Sequence, residues 1–352
     1  MRALLLLLTL LPLTAADRIN HAGRRLGPLP VVKEPLLFNT PQADAVLAAM
    51  QIMPLDSPWN ENISGRPLLA TSAAIIARMR ADLGGRNTLR IFPEMNFVLV
   101  PDAQPLVPLR FTGYPDESDF NGGKAPVATW PIPGLMPVEC WPLGRPAGEK
   151  LELWQVDPGR VGGDRHTIVV QPGRMRVYET WQGRLGDQGW QASNGAIFPL
   201  NSNTLRPAGW TSGDAAGLPM FPALIRYDEV ERGAIEHALR IVVKISRREF
   251  IYPATHSASR VKPGDPEAAN YPAMGQRVRL KASFAIPQSW NKASQVVAQA
   301  LKTYGALVAD NGGFFSVSAC PDDRFPTNCF RDAESISIDQ FEVVATTGPK
   351  RR

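Results

Sequence analysis

The sequence predicts a mainly β protein, an antiparallel β-sandwich of jelly-roll type with a few peripheral helices. Three observations lead there. From Phe97 onward, short alternating or apolar runs follow one another with little helical periodicity between them. The 29 glycines and 33 prolines of the 352 residues are spread along the chain as turn punctuation and form no low-complexity tract. Strands that mostly follow strands favour antiparallel layers over alternating βαβ units. An α+β arrangement, with the helices packed on one face, is the alternative that the same pattern allows.

The chain opens with Met1-Arg2, an apolar run from Ala3 to Leu13, and the small residues Thr14-Ala15-Ala16. This is the form of a signal peptide over 1–16, cleaved before Asp17, in an apolar run well short of the roughly 20 residues a membrane span needs. The expected organisation is then an extended lead-in over 17–38, one β-rich globular domain over 39–345 and a basic tail over 346–352. Thr40-Pro41 supplies an N-cap and a first-turn proline for a helix through DAVLAAMQ. A second helix, AAIIARMRADL, is capped by Thr71 or Ser72 and stopped by Gly84. Strands are expected near 97–100, 107–111, 150–156, 166–171, 176–181, 234–245, 249–252, 277–284, 314–318 and 340–345. One late helix, KASQVVAQALKTY, ends at Gly305.

The formal net charge of +5 favours an acidic partner such as an anionic polysaccharide. No concentrated basic arm points to nucleic acid, and no later segment is long enough to span a membrane. Of the three cysteines, Cys320 and Cys329 bracket PDDRFPTN, a loop that a disulfide would close in an oxidising compartment. Cys140 is left over as a small apolar residue. No CxxC or His/Cys cluster marks a zinc site, and no metal ligand set is assigned.

Strand alternation sorts the polar residues. In 234–245 it places His237 with Ile235, Leu239 and Ile241. In 176–181 it places Glu179 with Val177 and Trp181. His166 falls with Ile168 and Val170. A carboxylate among large apolar neighbours has its pKa raised unless a donor or cation holds the charge. Convergence of His166, His237 and His256 with Glu179 would make an acid–base site or a His/Glu metal site; separate, satisfied core residues are the other outcome. Arg277, Arg279 and Lys281 form one face of their strand, and with Arg240 they make a basic sheet face suited to an acidic sugar chain.

Residues 199–224 show neither helical nor strand periodicity, and an ordered loop of that length is often functional. It presents Trp210, a flat surface for a sugar ring, and Asp214, and it leads into Asp228 and Glu229. Asp116, Glu117 and Asp119, in a Gly/Asn-rich loop, are candidate oxygen ligands for a structural Ca²⁺.

The segments GWTSGDAAGLP, RYDEV, HALR, PATH, MGQRVRLKAS and ALKTYGALVADNGG resemble a family of secreted bacterial proteins, over roughly residues 50 to 345. The resemblance implies a secreted setting and transfers no catalytic role to these positions. The β architecture, the Trp-bearing loop and the carboxylates instead lead to an expected function: a secreted polysaccharide-active enzyme. A glycoside hydrolase would draw two carboxylates from Asp214, Asp228, Glu229 and Glu179, with His237 in the same site. Trp210, Arg240, Lys281, His166 and His256 would bind substrate. A lyase would use His237 or a tyrosine as base and Arg240 or Lys281 to neutralise a uronate. A non-catalytic sugar-binding protein needs only the tryptophans and the loop. The discriminating geometry is whether Asp228 or Glu229 shares a cleft with Trp210.

Overall fold

A computed structural model describes residues 18–144, 148–157 and 163–345; the predicted signal peptide and basic tail lie outside the described residues. The chain is mainly β, and among the described residues its strands form sheets of six, five, four and two strands. No helix among the described residues is long and apolar enough to cross a membrane.

The sheets are mixed, in place of the all-antiparallel sandwich expected. Parallel pairs join Leu239–Val243 to Ala306–Asn311, Phe315–Ala319 to Leu89–Pro93, Val98–Leu99 to Thr167–Gln171, and Gly189–Ala192 to Val107–Phe111. The sequence pattern hid this because both arrangements yield short apolar runs. The parallel pairing of Leu239–Val243 with Ala306–Asn311 needs a crossover, and the helix Lys292–Thr303 lies within it.

Three helices form as predicted. Pro41–Ala48 starts at Thr40, whose side chain accepts from the Ala43 amide. Ser72–Leu83 ends at Gly84. Lys292–Thr303 starts at Asn291, whose side chain accepts from the Ser294 amide. The 150–156 run is a helix instead, Leu151–Val156: burying Leu151, Trp154 and Gln155 follows a helical spacing, and Leu153 is left exposed. The strand expected over 234–245 is confined to Leu239–Val243, so His237 stands before it, and 249–252 keeps only a bridge from Phe250 to Met274.

The six-stranded sheet positions the candidate site. Its order is Phe341–Val343, Arg277–Leu280, Ala306–Asn311, Leu239–Val243, Phe315–Ala319, Leu89–Pro93. Residues paired across neighbouring strands share a face. One face carries Leu239, Ile241, Val243, Val278, Leu280, Val308, Phe315 and Val317, all buried in the main core with Val297 and Leu301 of the late helix. The opposite face carries Arg240, Arg277, Arg279, Ser316 and Ser318.

The expected disulfide does not form: Cys140, Cys320 and Cys329 are free thiols. The 321–328 loop is closed by charge instead. Arg324 donates to Asp44 of the first helix at 2.6 Å and to Asp322 at 2.6 Å.

Candidate functional site

The long 199–224 loop is not an open lid. Its second half runs through the interior, with Ser212, Asp214, Ala216, Leu218, Met220 and Phe221 all buried. Buried backbone must find hydrogen-bond partners, and the polar residues expected on apolar strand faces supply them. Glu179 accepts from the Met220 amide at 2.9 Å and the Phe221 amide at 2.8 Å. His166 faces the Gly213 carbonyl with Nε2 at 3.0 Å and Glu139 Oε2 with Nδ1 at 3.2 Å. His256 Nδ1 meets the Ala215 carbonyl at 2.6 Å. At Gly217 the loop turns with φ +70°, packed so closely on Thr255 and the Trp210 carbonyl that a Cβ would collide with both.

Asp214 anchors the loop to the sheet. Arg240 Nε lies 3.1 Å from each of its carboxylate oxygens, and Nη2 also donates to Oδ1. Arg240 Nη1 donates to Ser318 Oγ and lies 3.7 Å from Glu94 Oε1; Ser318 Oγ in turn donates to Glu94 at 2.7 Å. Burial works against the guanidinium charge, but Asp214 outweighs it and raises the Arg240 pKa.

A single irregularity brings a further carboxylate to this face. Ile241 is opposite Val308 but Val242 is opposite Asp310, so Ala309 is an extra residue, a β-bulge. In continuous register Asp310 would face the apolar core; the bulge moves it to the face of Arg240, since a one-residue slip reverses every side chain. The Ala309 carbonyl accepts the Ala216 amide of the long loop. Asp310 is half-buried, and its carboxylate accepts the Asn311 amide at 2.7 Å. Burial, reinforced by Asp214, pushes its pKa up to about 7 against the pull of Arg240. Burial also raises the Glu94 pKa, opposed by Arg240 and the Ser318 hydroxyl.

His166 and Glu179 belong to the same buried network. Burial opposes charge on His166, but Glu139 outweighs it and carries the imidazole up to about 9. As an imidazolium it donates from both ring nitrogens, which suits its two acceptors. Burial raises Glu179 to about 7 despite its two backbone donors.

His237, Asp228 and Glu229 form a second cluster, around Arg226. Asp228 and Glu229 open the short helix Tyr227–Arg232. Glu229 accepts from Arg226 at 2.5 Å and stands 3.0 Å from His237 Nε2, while His237 Nδ1 faces the Ala238 carbonyl at 3.0 Å. Burial would raise the Glu229 pKa, but Arg226 and then His237 overcome this and hold it at about 2. Asp228 pairs with Arg232 at 3.1 Å. The lead-in borders this cluster: Asn20 donates to Glu236 at 2.7 Å, and Arg24 donates to it at 3.0 Å. His237 and Glu179 make no direct contact; they are linked through Phe221, whose amide donates to Glu179 and whose carbonyl accepts from Arg226 at 3.3 Å.

Trp210 does not share a cleft with Asp228 or Glu229. The Arg206 guanidinium lies 5.3 Å from its ring, and Arg206 also donates to Asp119 and to the Glu117 carbonyl. Glu117 accepts the Thr211 amide and Asp119 the Ile197 amide, each at 2.9 Å. Two of the three oxygen donors expected for Ca²⁺ thus clamp the base of the Trp210 loop, and no metal-holding group of three acidic, His or Cys side chains occurs among the described residues. Lys281 lies outside the site and donates to the Asp339 carbonyl at 2.7 Å. The basic sheet face is real but largely covered: Arg277 donates to the Tyr304 carbonyl and Arg279 to Glu342, both at 2.7 Å.

Glu94, Glu139 and Asp310 are the site residues the sequence reading missed. Asp310-Asn311 within VADNGG reads as turn chemistry. Only the register reveals the bulge. Comparison with protein-family models, curated proteins and solved structures finds no match for this chain.

Proposed function

We propose that the protein is an extracellular polysaccharide-cleaving hydrolase, in which Asp310 donates a proton to the glycosidic oxygen and Glu94 is the companion carboxylate. The observation that carries this reading is the bulge that delivers Asp310 to the Arg240 face. A structural aspartate there would be fully paired, as Asp214 is; Asp310 is instead half-buried, and its hydrogen bond comes from its own neighbour's amide. Glycoside hydrolysis needs one carboxyl that is protonated at working pH and one that is charged. Asp310, with its pKa near 7, suits the first role. Glu94 suits the second: burial raises its pKa, but Arg240 and the Ser318 hydroxyl beside it favour the anion. Asp214 and Arg240 position the pair, and Glu179 and His166 hold the loop that carries Asp214.

The test is release of reducing ends by the purified mature chain from a panel of neutral and acidic polysaccharides. At least one should be cleaved, and Asp310→Asn should lower the rate by about 10²–10⁴-fold, the range of a general acid's contribution. Cleavage of none, or an Asp310→Asn variant as fast as the parent, overturns the proposal. An unsaturated, ultraviolet-absorbing product in place of a simple reducing end would instead identify a lyase.

A further inference from the structure

The sheet face that carries Asp310 continues past it into an aromatic patch. Phe92 lies opposite Ser318 and two residues before Glu94, so alternation puts it on the Arg240 face. Phe314 precedes the fully buried Phe315 and alternates onto that same face. Both rings are half-buried, and they meet edge to face with centroids 5.3 Å apart. Val242, opposite Asp310, is half-buried on the same face. The neighbouring Gly312 leaves this side open, since a Cβ there would press on Val242 Cγ1 at 2.7 Å.

Two arginines frame the patch. Arg86 is exposed, lies 4.8 Å from the Phe314 centroid and reaches the Gly313 carbonyl at 3.4 Å. Arg90, opposite Ser316, has a side chain 46% exposed and stands 3.6 Å from Glu334, beyond hydrogen-bond length, so its donors are not consumed by that pair. Glu334 is already turned to the Ile91 amide at 3.1 Å.

We infer that Phe92 and Phe314, with Arg86 and Arg90, form the subsite for a uronate-bearing sugar residue, next to the bond presented to Asp310 and Glu94. The inference rests on the hydrolase reading for its orientation. A pyranose ring has an apolar C–H face that packs on aromatic carbon, and phenylalanine presents that carbon without a polar group needing its own partner. A guanidinium binds a carboxylate through paired N–H donors, and two exposed guanidiniums, Arg86 over the Phe314 ring and Arg90 on the adjacent strand, select for an acidic sugar over a neutral one.

The experiment measures binding on the full chain carrying Asp310→Asn, so that ligand is not consumed. The probes are oligogalacturonate and its methyl-esterified, neutral counterpart, titrated calorimetrically. The acidic oligomer should bind more tightly than the neutral one. Arg86→Gln with Arg90→Gln should weaken the acidic oligomer by roughly tenfold and leave the neutral one unchanged, a factor of about 1.4 kcal/mol. Phe92→Leu and Phe314→Leu, with circular dichroism as the fold check, should weaken both oligomers. Equal binding of the two oligomers, no binding of the acidic one, or arginine variants that bind like the parent each overturn the inference. Binding as predicted, with no polysaccharide cleaved by the parent chain, would keep the subsite and remove the hydrolase reading.

Discussion

Two buried ion clusters in this chain are built from the same residue types and finished differently. Around His237, Glu229 holds Arg226 and faces His237, and Asp228 pairs with Arg232, although burial, then Glu229, raises the half-buried Asp228 to about 6 against Arg226 and Arg232. Around Arg240, the deep end is equally saturated by Asp214, but the outer end is left with Glu94 and Asp310, whose carboxyl pKa values are raised. A saturated cluster holds a fold together. A half-buried carboxyl with a raised pKa retains a proton that chemistry can use. The difference lies in the partner: Asp228 faces the Arg232 guanidinium at 3.1 Å, whereas the hydrogen bond to Asp310 comes from the Asn311 amide.

The largest effects should come from breaking each cluster at its centre. Arg240→Gln leaves Asp214 buried without its cation, and Glu229→Gln leaves Arg226 without its anion. Each should cost about 3–5 kcal/mol of unfolding free energy, read by denaturant titration. If the comparison holds, rescue by a stabilising temperature or osmolyte restores cleavage in Glu229→Gln and not in Arg240→Gln. Equal rescue of both would erase the distinction.

The next effect is on pH dependence, and the two clusters differ in sign. Glu229 is depressed from 4.5 to about 2, so its stabilisation is present above its unfolded pKa and is lost as pH falls through about 2. Glu179 is raised from 4.5 to about 7: its carboxyl favours the fold at acid pH, and that contribution is lost as pH rises through about 7. Glu179→Gln should therefore flatten the decline of melting temperature between about pH 4.5 and 7, and Glu229→Gln should leave that window unchanged. His166, raised from 6.5 to about 9, adds stability that is present below its unfolded pKa and fades as pH rises through about 9. His166→Asn should remove that alkaline loss.

The smallest effect is at Asp310 itself. A carboxyl whose pKa is raised by folding opposes the fold when ionised, so Asp310→Asn should leave the melting temperature unchanged at acid pH and raise it slightly above pH 7. A marked loss of stability would reassign Asp310 to the framework.

Local chemistry was legible in the sequence; register was not. Thr40-Pro41 and Gly84 mark helix ends by their own side chains and backbone freedom, and the 107–111 strand is found over its full expected length. The alternation that set Glu179 inward also holds, because neighbouring residues decide it. His237 was misplaced because the apolar run 239–243 was extended backward over residues that form a connection. Asp228 and Glu229, which follow the long loop, open a helix whose cation, Arg226, comes from its own N-cap, and the bare sequence does not show that pairing. Asp310 needed knowledge of which strand lies beside it, since one extra residue at Ala309 decides the face it takes. Pairing across roughly 65 residues of chain leaves no local trace, and a mixed sheet cannot be told from an antiparallel one by periodicity.

The most direct test of the central claim is a carbon-13 NMR titration of the Asp310 side-chain carboxyl in the full chain, assigned by comparison with Asp310→Asn. A midpoint near 7 is predicted, falling when Asp214→Asn removes the neighbouring charge. A midpoint in the ordinary aspartate range, unmoved by that substitution, would contradict the account and leave this face with no proton to donate.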